Sequence, residues 1–493
     1  HAEQVAGVMI SMDERADVNG VKPVGVAQDV QLYSTAYVTS GTAGYQNALL
    51  AMQFIAEQNG DDVRAINNSW GKPLPSGASI DGNSQLTLGF DYLAKKHDVL
   101  YIVAGNEDAG GLPTPADNFN GMTIAGATRG PDDKYDTVDD RNNLNDHPIA
   151  DRTGVSLLAP ADSILVTGLN NAQATVGGTS IAAPQVTGTV ALLQQYGNQR
   201  LTAANSLHWS DDYKQHTVMK AVLMNSADKI SKQSDLPVQV AGVATLPVPT
   251  GGFLDQDKTV FRKDGGTWYS DTDAADKTHE TGGLKPVDDQ FGAGALNAKR
   301  ALKQLSAGEF HSVDNGGPGH VPVIGWDYGH ISDQQTNHYD FNRSLLAGSF
   351  ISITLAWDRD VQFASGGAGG EYHAGDSFQA STNSQVPAFD QISGLELQLL
   401  EIGDVGSPII AESVASGVTL QHIFWQIPTT DQYEIRVKQT NDNGGDVDYG
   451  LAWWTLGTGL LISDLGDINQ DGHVDAKDIK AMMDALSNKA GYG

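Results

Sequence analysis

The sequence predicts an α/β fold, a parallel sheet flanked by helices, followed by an antiparallel β-sandwich and a short EF-hand-like calcium half-module. Three observations predict it. Through the first three fifths of the chain, short apolar strands alternate with helical patterns. From about residue 310 the texture changes to short alternating strands separated by Gly, Asp, Asn and Ser. In the tail, oxygen-bearing side chains fall at calcium-loop spacing.

Taken in order, Val30-Gln31-Leu32-Tyr33 reads as a strand. Tyr45 to Gln58 reads as a helix with Ala48, Met52 and Ile55 on one face and a stop at Asn59-Gly60. Val63 to Ser69 and Val99 to Val103 are further short strands, the second preceded by a helix from Leu86 to Lys96. At Gly177-Gly178-Thr179-Ser180-Ile181-Ala182-Ala183-Pro184 a glycine turn meets the start of a helix. Ala183, Val186, Val190 and Leu193 recur at helical spacing, so the helix is buried and ends near Gly197. Ser180 then sits at its positive end, where a developing negative charge is stabilised. Taken alone, this turn fits a nucleophile or an N-cap equally. Lys229 to Asp289 is rich in Gly, Asp, Thr and Pro and reads as an irregular surface excursion. The acidic run Asp132 to Asp140 is either a solvated loop or a gathering of calcium ligands.

In the second part, Ile351, Ile353, Leu355 and Trp357 share one face of a strand, and Tyr433 to Val437 repeats the alternation. Leu395 to Ile402, His422 to Ile427 and Tyr449 to Thr455 add three strands, and together they predict the sandwich. Its role is open between stabilising the first part, engaging substrate, and acting as a spacer. In the tail, Asp467, Asn469, Asp471, Asp475 and Asp478 occupy positions one, three, five, nine and twelve of a loop with Gly472 at six. His473, at seven, would give only its backbone carbonyl. Ile479, Met482, Met483 and Leu486 line the helix that follows. The expected divisions are 1–308, 309–457, a linker at 458–464, and 465–493.

Composition excludes several classes. The chain has 493 residues, 60 Asp and Glu against 30 Lys and Arg, and a formal charge of -30, which argues against a nucleic-acid partner and is compatible with bound calcium. There is no cysteine, hence neither a disulfide framework nor a thiol mechanism. No apolar run is long enough to span a membrane.

The serine turn closely resembles the serine motif of the subtilisin-like serine proteases, the subtilases or peptidase S8 family. Two further motifs appear in that family's order. His1-Ala2-Glu3-Gln4-Val5-Ala6-Gly7 resembles its histidine motif, and Tyr101-Ile102-Val103-Ala104-Gly105-Asn106 its strand ending in an asparagine. Ile66-Asn67-Asn68-Ser69-Trp70-Gly71 is similar to a strand lining the peptide cleft. Gly121 to Ala127 and Ser156 to Pro160 resemble two more sheet segments, and Val218 to Met224 and Gln290 to Asn297 the closing helix and segment. The resemblance implies Ser180 as nucleophile, His1 as general base and Asn106 as oxyanion donor. Ser69, Trp70, Gly71, Val103, Ala104 and Gly105 would flank the substrate. Ala2 stands where the family has Gly, and Glu3-Gln4 replaces a small residue and a second His.

The family's orienting aspartate precedes its histidine, on the first strand, and nothing here precedes His1. The expectation is therefore a fragment of a secreted endopeptidase, of low activity as it stands. The tail resembles one repeat of a dockerin, because its twelfth ligand is Asp rather than Glu; it implies calcium and a cohesin-like protein partner. The rival expectation is a disabled protease scaffold acting as a calcium-dependent binding protein.

Overall fold

The computed structural model describes residues 1–36, 44–58, 62–72, 81–105, 113–128, 154–202, 208–228, 286–287, 292–317, 319–365, 372–373, 376–380, 394–402, 409–415, 417–439 and 445–456. Asn106, the run 132–140, nearly all of 229–289 and the whole tail from 457 lie outside the described residues.

Four short strands form a parallel sheet in the order β1 (Ala65–Asn68), β2 (Leu100–Ala104), β3 (Met122–Ala127) and β4 (Leu157–Pro160). Register is set by Ile66 opposite Tyr101, Ile102 opposite Met122 and Ala125 opposite Leu158. Every residue of β2 and β3 is buried, as strands covered on both faces must be. The strand period divides β2 between two layers. Tyr101 and Val103 join a core with Leu49 and Met52 of α2 (Tyr45–Ala56) and Phe90 and Leu93 of α3 (Gln85–His97). Leu100, Ile102 and Ala104 face the other way, toward Ala182, Val186 and Val190 of α4 (Thr179–Thr202) and Val222 of α5 (His216–Asn225).

Among the described residues this part also holds α1 (Ala2–Ile10), the hairpin of β5 (Ile164–Thr167) with β6 (Gln173–Val176), and α6 (Ala298–Ser306). Neither the hairpin nor α6 carried a pattern strong enough to be anticipated. Two expectations are corrected. Val30 to Tyr33 is not a strand: it pairs with no strand among the described residues, and Val30 and Leu32 are each 38% exposed. α4 runs past Gly197 to Thr202 because that glycine is a packing position and not a stop. A Cβ there would stand 2.2 Å from the ring of Tyr213.

Among the described residues, the second part holds two four-stranded antiparallel sheets and a short hairpin. One sheet is ordered β13 (Ile409–Ser413), β12 (Leu395–Ile402), β15 (Gln432–Gln439), β8 (Thr336–Asp340). The other is β14 (Leu420–Gln426), β9 (Phe350–Trp357), β16 (Val447–Leu456), β7 (Ile324–Ile331). Alternate residues such as Leu397, Leu399, Ile435, Ile353, Leu451 and Trp453 meet in one core between them. The hairpin of β10 (Val361–Ala364) with β11 (Ser377–Ala380) leaves this body and packs on α3, where Phe363 and Phe378 each lie within 5.5 Å of the Tyr92 ring, centroid to centroid.

The two parts meet through a core-like seam. A Cβ on Gly450 of β16 would lie 2.4 Å from the backbone of Thr217, so α5 is laid directly on the strand. Asn225, at the end of α5, accepts hydrogen bonds from Ser352 (2.6 Å) and Thr354 (3.1 Å), and its carbonyl accepts one from the Trp454 indole (2.8 Å). Beside the seam, the Arg359 guanidinium is buried against the fully buried Asp91 of α3, with nitrogen to oxygen distances of 2.6 and 2.9 Å. Asp91 also accepts from the backbone N–H groups of Phe119 and Asn120. Arg359→Met leaves that carboxylate buried without its cation, so unfolding in urea is expected to show a loss of about 3 kcal/mol or more. A loss below about 1 kcal/mol would mean that the pair is not a structural anchor.

Candidate active site

The site is assembled at the start of α4. Gly178 precedes the helix with φ of +111°, a conformation that a side chain would oppose, and its N–H donates to the carbonyl of Ala161 at 2.7 Å. Gly177 is held as closely: a Cβ there would meet the same carbonyl oxygen at 2.8 Å. The turn is thereby fixed against the end of β4, and Thr179 and Ser180 open the helix. The Thr179 hydroxyl donates to the carbonyl of Gly105 at 3.2 Å, which ties this turn to the end of β2.

Ser180 is half-buried, and among the described residues its only hydrogen bond through Oγ is a long one of 3.4 Å to the Ser69 carbonyl. The hydroxyl is thus lightly held. Its backbone is not. Pro184 lacks the N–H that would bond the carbonyl four residues earlier, which frees Ser180 O. The Ser69 hydroxyl donates to that oxygen at 2.8 Å, and Ser69 Oγ in turn accepts from the Asn67 side chain at 3.0 Å. This brace from the edge of β1 was not anticipated, although a proline four residues after the serine signals it.

His1 stands at the N-cap of α1, exposed, and its imidazole makes no hydrogen bond among the described residues. α1 itself is firmly seated. Val8 packs with Ile181, the neighbour of Ser180, and with Val166 of β5. Gly7 permits this approach, since a Cβ there would lie 2.7 Å from the Thr167 carbonyl oxygen. The structure therefore brings the helices of His1 and Ser180 side by side, while no hydrogen bond joins the two residues and no carboxylate pairs with His1 among the described residues.

A groove of about 770 Å³ runs along the open edge of β1, and His1, Gln31, Asn67, Ser69, Trp70 and Gly188 are among its walls. Trp70 is half-buried and meets Phe90 edge-on, with centroids 6.1 Å apart. Gly71 is exposed and could carry no side chain without striking Pro113, 2.4 Å away. Val103 and Ala104 are buried in the two cores, so they can offer a peptide only their backbone. Gly105 is half-buried and donates its N–H to Ile124 at 2.9 Å. The assigned calcium ligands from Asp467 to Asp478 lie beyond the described residues.

A sequence profile of the Subtilase family (peptidase S8) matches residues 1–294, which is more than half of the chain. The chain belongs to the subtilase family. This subtilase is similar to Subtilisin Savinase of Lederbergia lenta, 28% identical over 197 residues, which are 40% of this chain and 63% of that one. It is similar at the same identity and length to an alkaline protease of Alkalihalobacillus alcalophilus, where the match covers 44% of the relative. The chain thus spans about half the length of these curated relatives. Among solved structures, it resembles that of a cold adapted subtilisin-like serine proteinase, at 19% identity and a TM-score of 0.33, over 47% of this subtilase and 68% of that chain. Among the described residues, no helix is long and apolar enough to cross a membrane.

Proposed function

We propose that this subtilase is a secreted serine endopeptidase in which Ser180 attacks the peptide carbonyl, His1 takes its proton, and Asn106 and the Ser180 N–H hold the oxyanion. The observation that carries the reading is the lightly held Ser180 hydroxyl on the first turn of α4, one hydrogen bond away from Ser69, which with His1 lines the groove. The helix end adds a fixed positive potential where the tetrahedral intermediate gathers charge. Attack by Oγ forms the acyl-enzyme and expels the amine, which receives the proton from the imidazole; water then reverses the sequence. A fluorophosphonate probe tests the nucleophile directly. Labelling should map to Ser180 alone, and His1→Ala should slow it at least tenfold. Labelling spread over several serines, or unaffected by His1→Ala, would remove the assignment.

The tail belongs to the same proposal. Asp467, Asn469, Asp471, Asp475 and Asp478, with the carbonyl of His473, offer the hard oxygen donors that calcium takes, and a cohesin-like protein is the proposed partner of that half-module. Calcium titration of the full chain should lose one binding event in Asp471→Ala. The second reading, a disabled scaffold that only binds, is favoured by one observation, the absence of a carboxylate partner for His1 among the described residues. It predicts no fluorophosphonate labelling at all.

A further inference from the structure

Where the first part hands over to the sheets, three side chains converge that the proposed protease chemistry does not use. Glu309 and His311 follow α6, and Asp327 lies on β7. One carboxylate oxygen each from Glu309 and Asp327 and one ring nitrogen of His311 all lie within 4.8 Å of one another. Glu309 is 5% exposed and Asp327 is fully buried. Asp327 is fully bonded: Oδ1 faces His311 Nδ1 at 2.7 Å and Oδ2 accepts from the Tyr339 hydroxyl at 2.6 Å. Glu309 is not. Its Oε2 accepts from Ser210 at 2.6 Å, while Oε1 is buried with no hydrogen-bond partner among the described residues.

Two buried carboxylates side by side repel, and either a bound cation or an added proton relieves them. Neither is paired with a lysine or arginine among the described residues, and His311 is the sole basic group in contact. We infer that Glu309, His311 and Asp327 form a site for a divalent cation of the zinc type, which joins the segment around Ser210, the connection after α6, and β7. The donor set decides the class of ion. An imidazole with two carboxylates suits zinc and its neighbours, whereas calcium takes oxygen donors throughout. Tyr339 and Ser210 already hold the second oxygens of the two carboxylates, as outer partners of metal ligands do. The half-exposed His311 leaves a way in from solvent and room for a water as fourth ligand. An ion about 2 Å from each donor would hold the donors roughly 3.3 Å from one another, so the 2.7 Å contact of His311 with Asp327 would open slightly and the more distant donors would close in by side-chain rotation.

The experiment uses the full chain stripped with EDTA. One equivalent of cobalt(II) should produce visible absorption bands of a nitrogen- and oxygen-ligated ion, and zinc should displace them and raise the melting temperature. Glu309→Gln and His311→Ala should each weaken cobalt binding by at least about tenfold, and neither should gain melting temperature from zinc. Glu412→Gln, at an exposed carboxylate on β13 that has no part in the cluster, should behave as the parent. Equal melting in EDTA and zinc, or cobalt bands that persist in both variants, would overturn the site. His311 is half-exposed, so its variant keeps the test decisive if Glu309→Gln does not fold.

Discussion

Ser180→Ala should lower hydrolysis of a peptide amide by on the order of 10⁴- to 10⁶-fold while leaving the melting temperature in place. The expectation of unchanged folding comes from the contacts. Among the described residues the side chain contributes only one long hydrogen bond, and the tight part of the turn is made by Gly177, Gly178 and the backbone of Ser180 itself. The loss in rate comes from chemistry, since alanine cannot form the acyl-enzyme and only positioning and oxyanion contacts remain. Ser69→Ala supplies the graded control. It deletes the 2.8 Å brace on the carbonyl freed by Pro184 and should cost about tenfold in turnover, because the nucleophile is then less well oriented. Turnover of Ser180→Ala within tenfold of the parent would end the serine-protease reading.

The second large effect concerns pH. His216 opens α5, buried, with Nδ1 2.8 Å from Asp98 and Nε2 2.9 Å from Asp358, so one imidazolium ties the end of α3 to the loop after β9. Burial alone would lower its pKa, but the charges and hydrogen bonds of Asp358 and Asp98 prevail and push it up to about 10 from 6.5. The sign follows from linkage. Below pH 6.5 the group is protonated whether the chain is folded or not, and its full contribution is present. As the pH rises from 6.5, the unfolded chain releases the proton and the folded chain keeps it, so stability declines. Beyond about 10 the folded chain loses it too and the contribution is gone. The total is on the order of 3–5 kcal/mol. Urea unfolding followed from pH 6 to pH 10 should show this decline in the parent, and His216→Gln should be less stable at pH 6 and flatter above it. Parallel pH profiles for the two proteins would exclude a charged His216.

Much of the architecture was legible because the physical signals are local. β2 is a short apolar run between Asp98 and Gly105, α3 carries a helical pattern, and β9 alternates from Ile351 to Trp357. What escaped was set by distant neighbours. Gly197 resembles a helix stop until Tyr213 is seen against it, and Val30 to Tyr33 has strand composition but nothing to pair with. The hairpin of β5 and β6 and the strands β7 and β8 alternate too weakly to stand out. The glycine turn and helix start at Ser180 were readable from the chain, yet the brace through Ser69 depends on residues 111 positions apart. The charged ties at Arg359 and His216 span 268 and 142 positions and have no signature in the chain.

The seam between the two parts carries a consequence for modularity. Trp326, Ala356, Leu420 and Ala452 of the sheets lie in the same apolar cluster as Met219, Val222 and Leu223 of α5. Severing the chain after α6 would expose that shared surface on both products and strand Asp91 and Asp358 without their cations. Calorimetry should accordingly record a single heat-absorption peak for the described body, and neither half should be transplantable to another protein as a self-sufficient cassette.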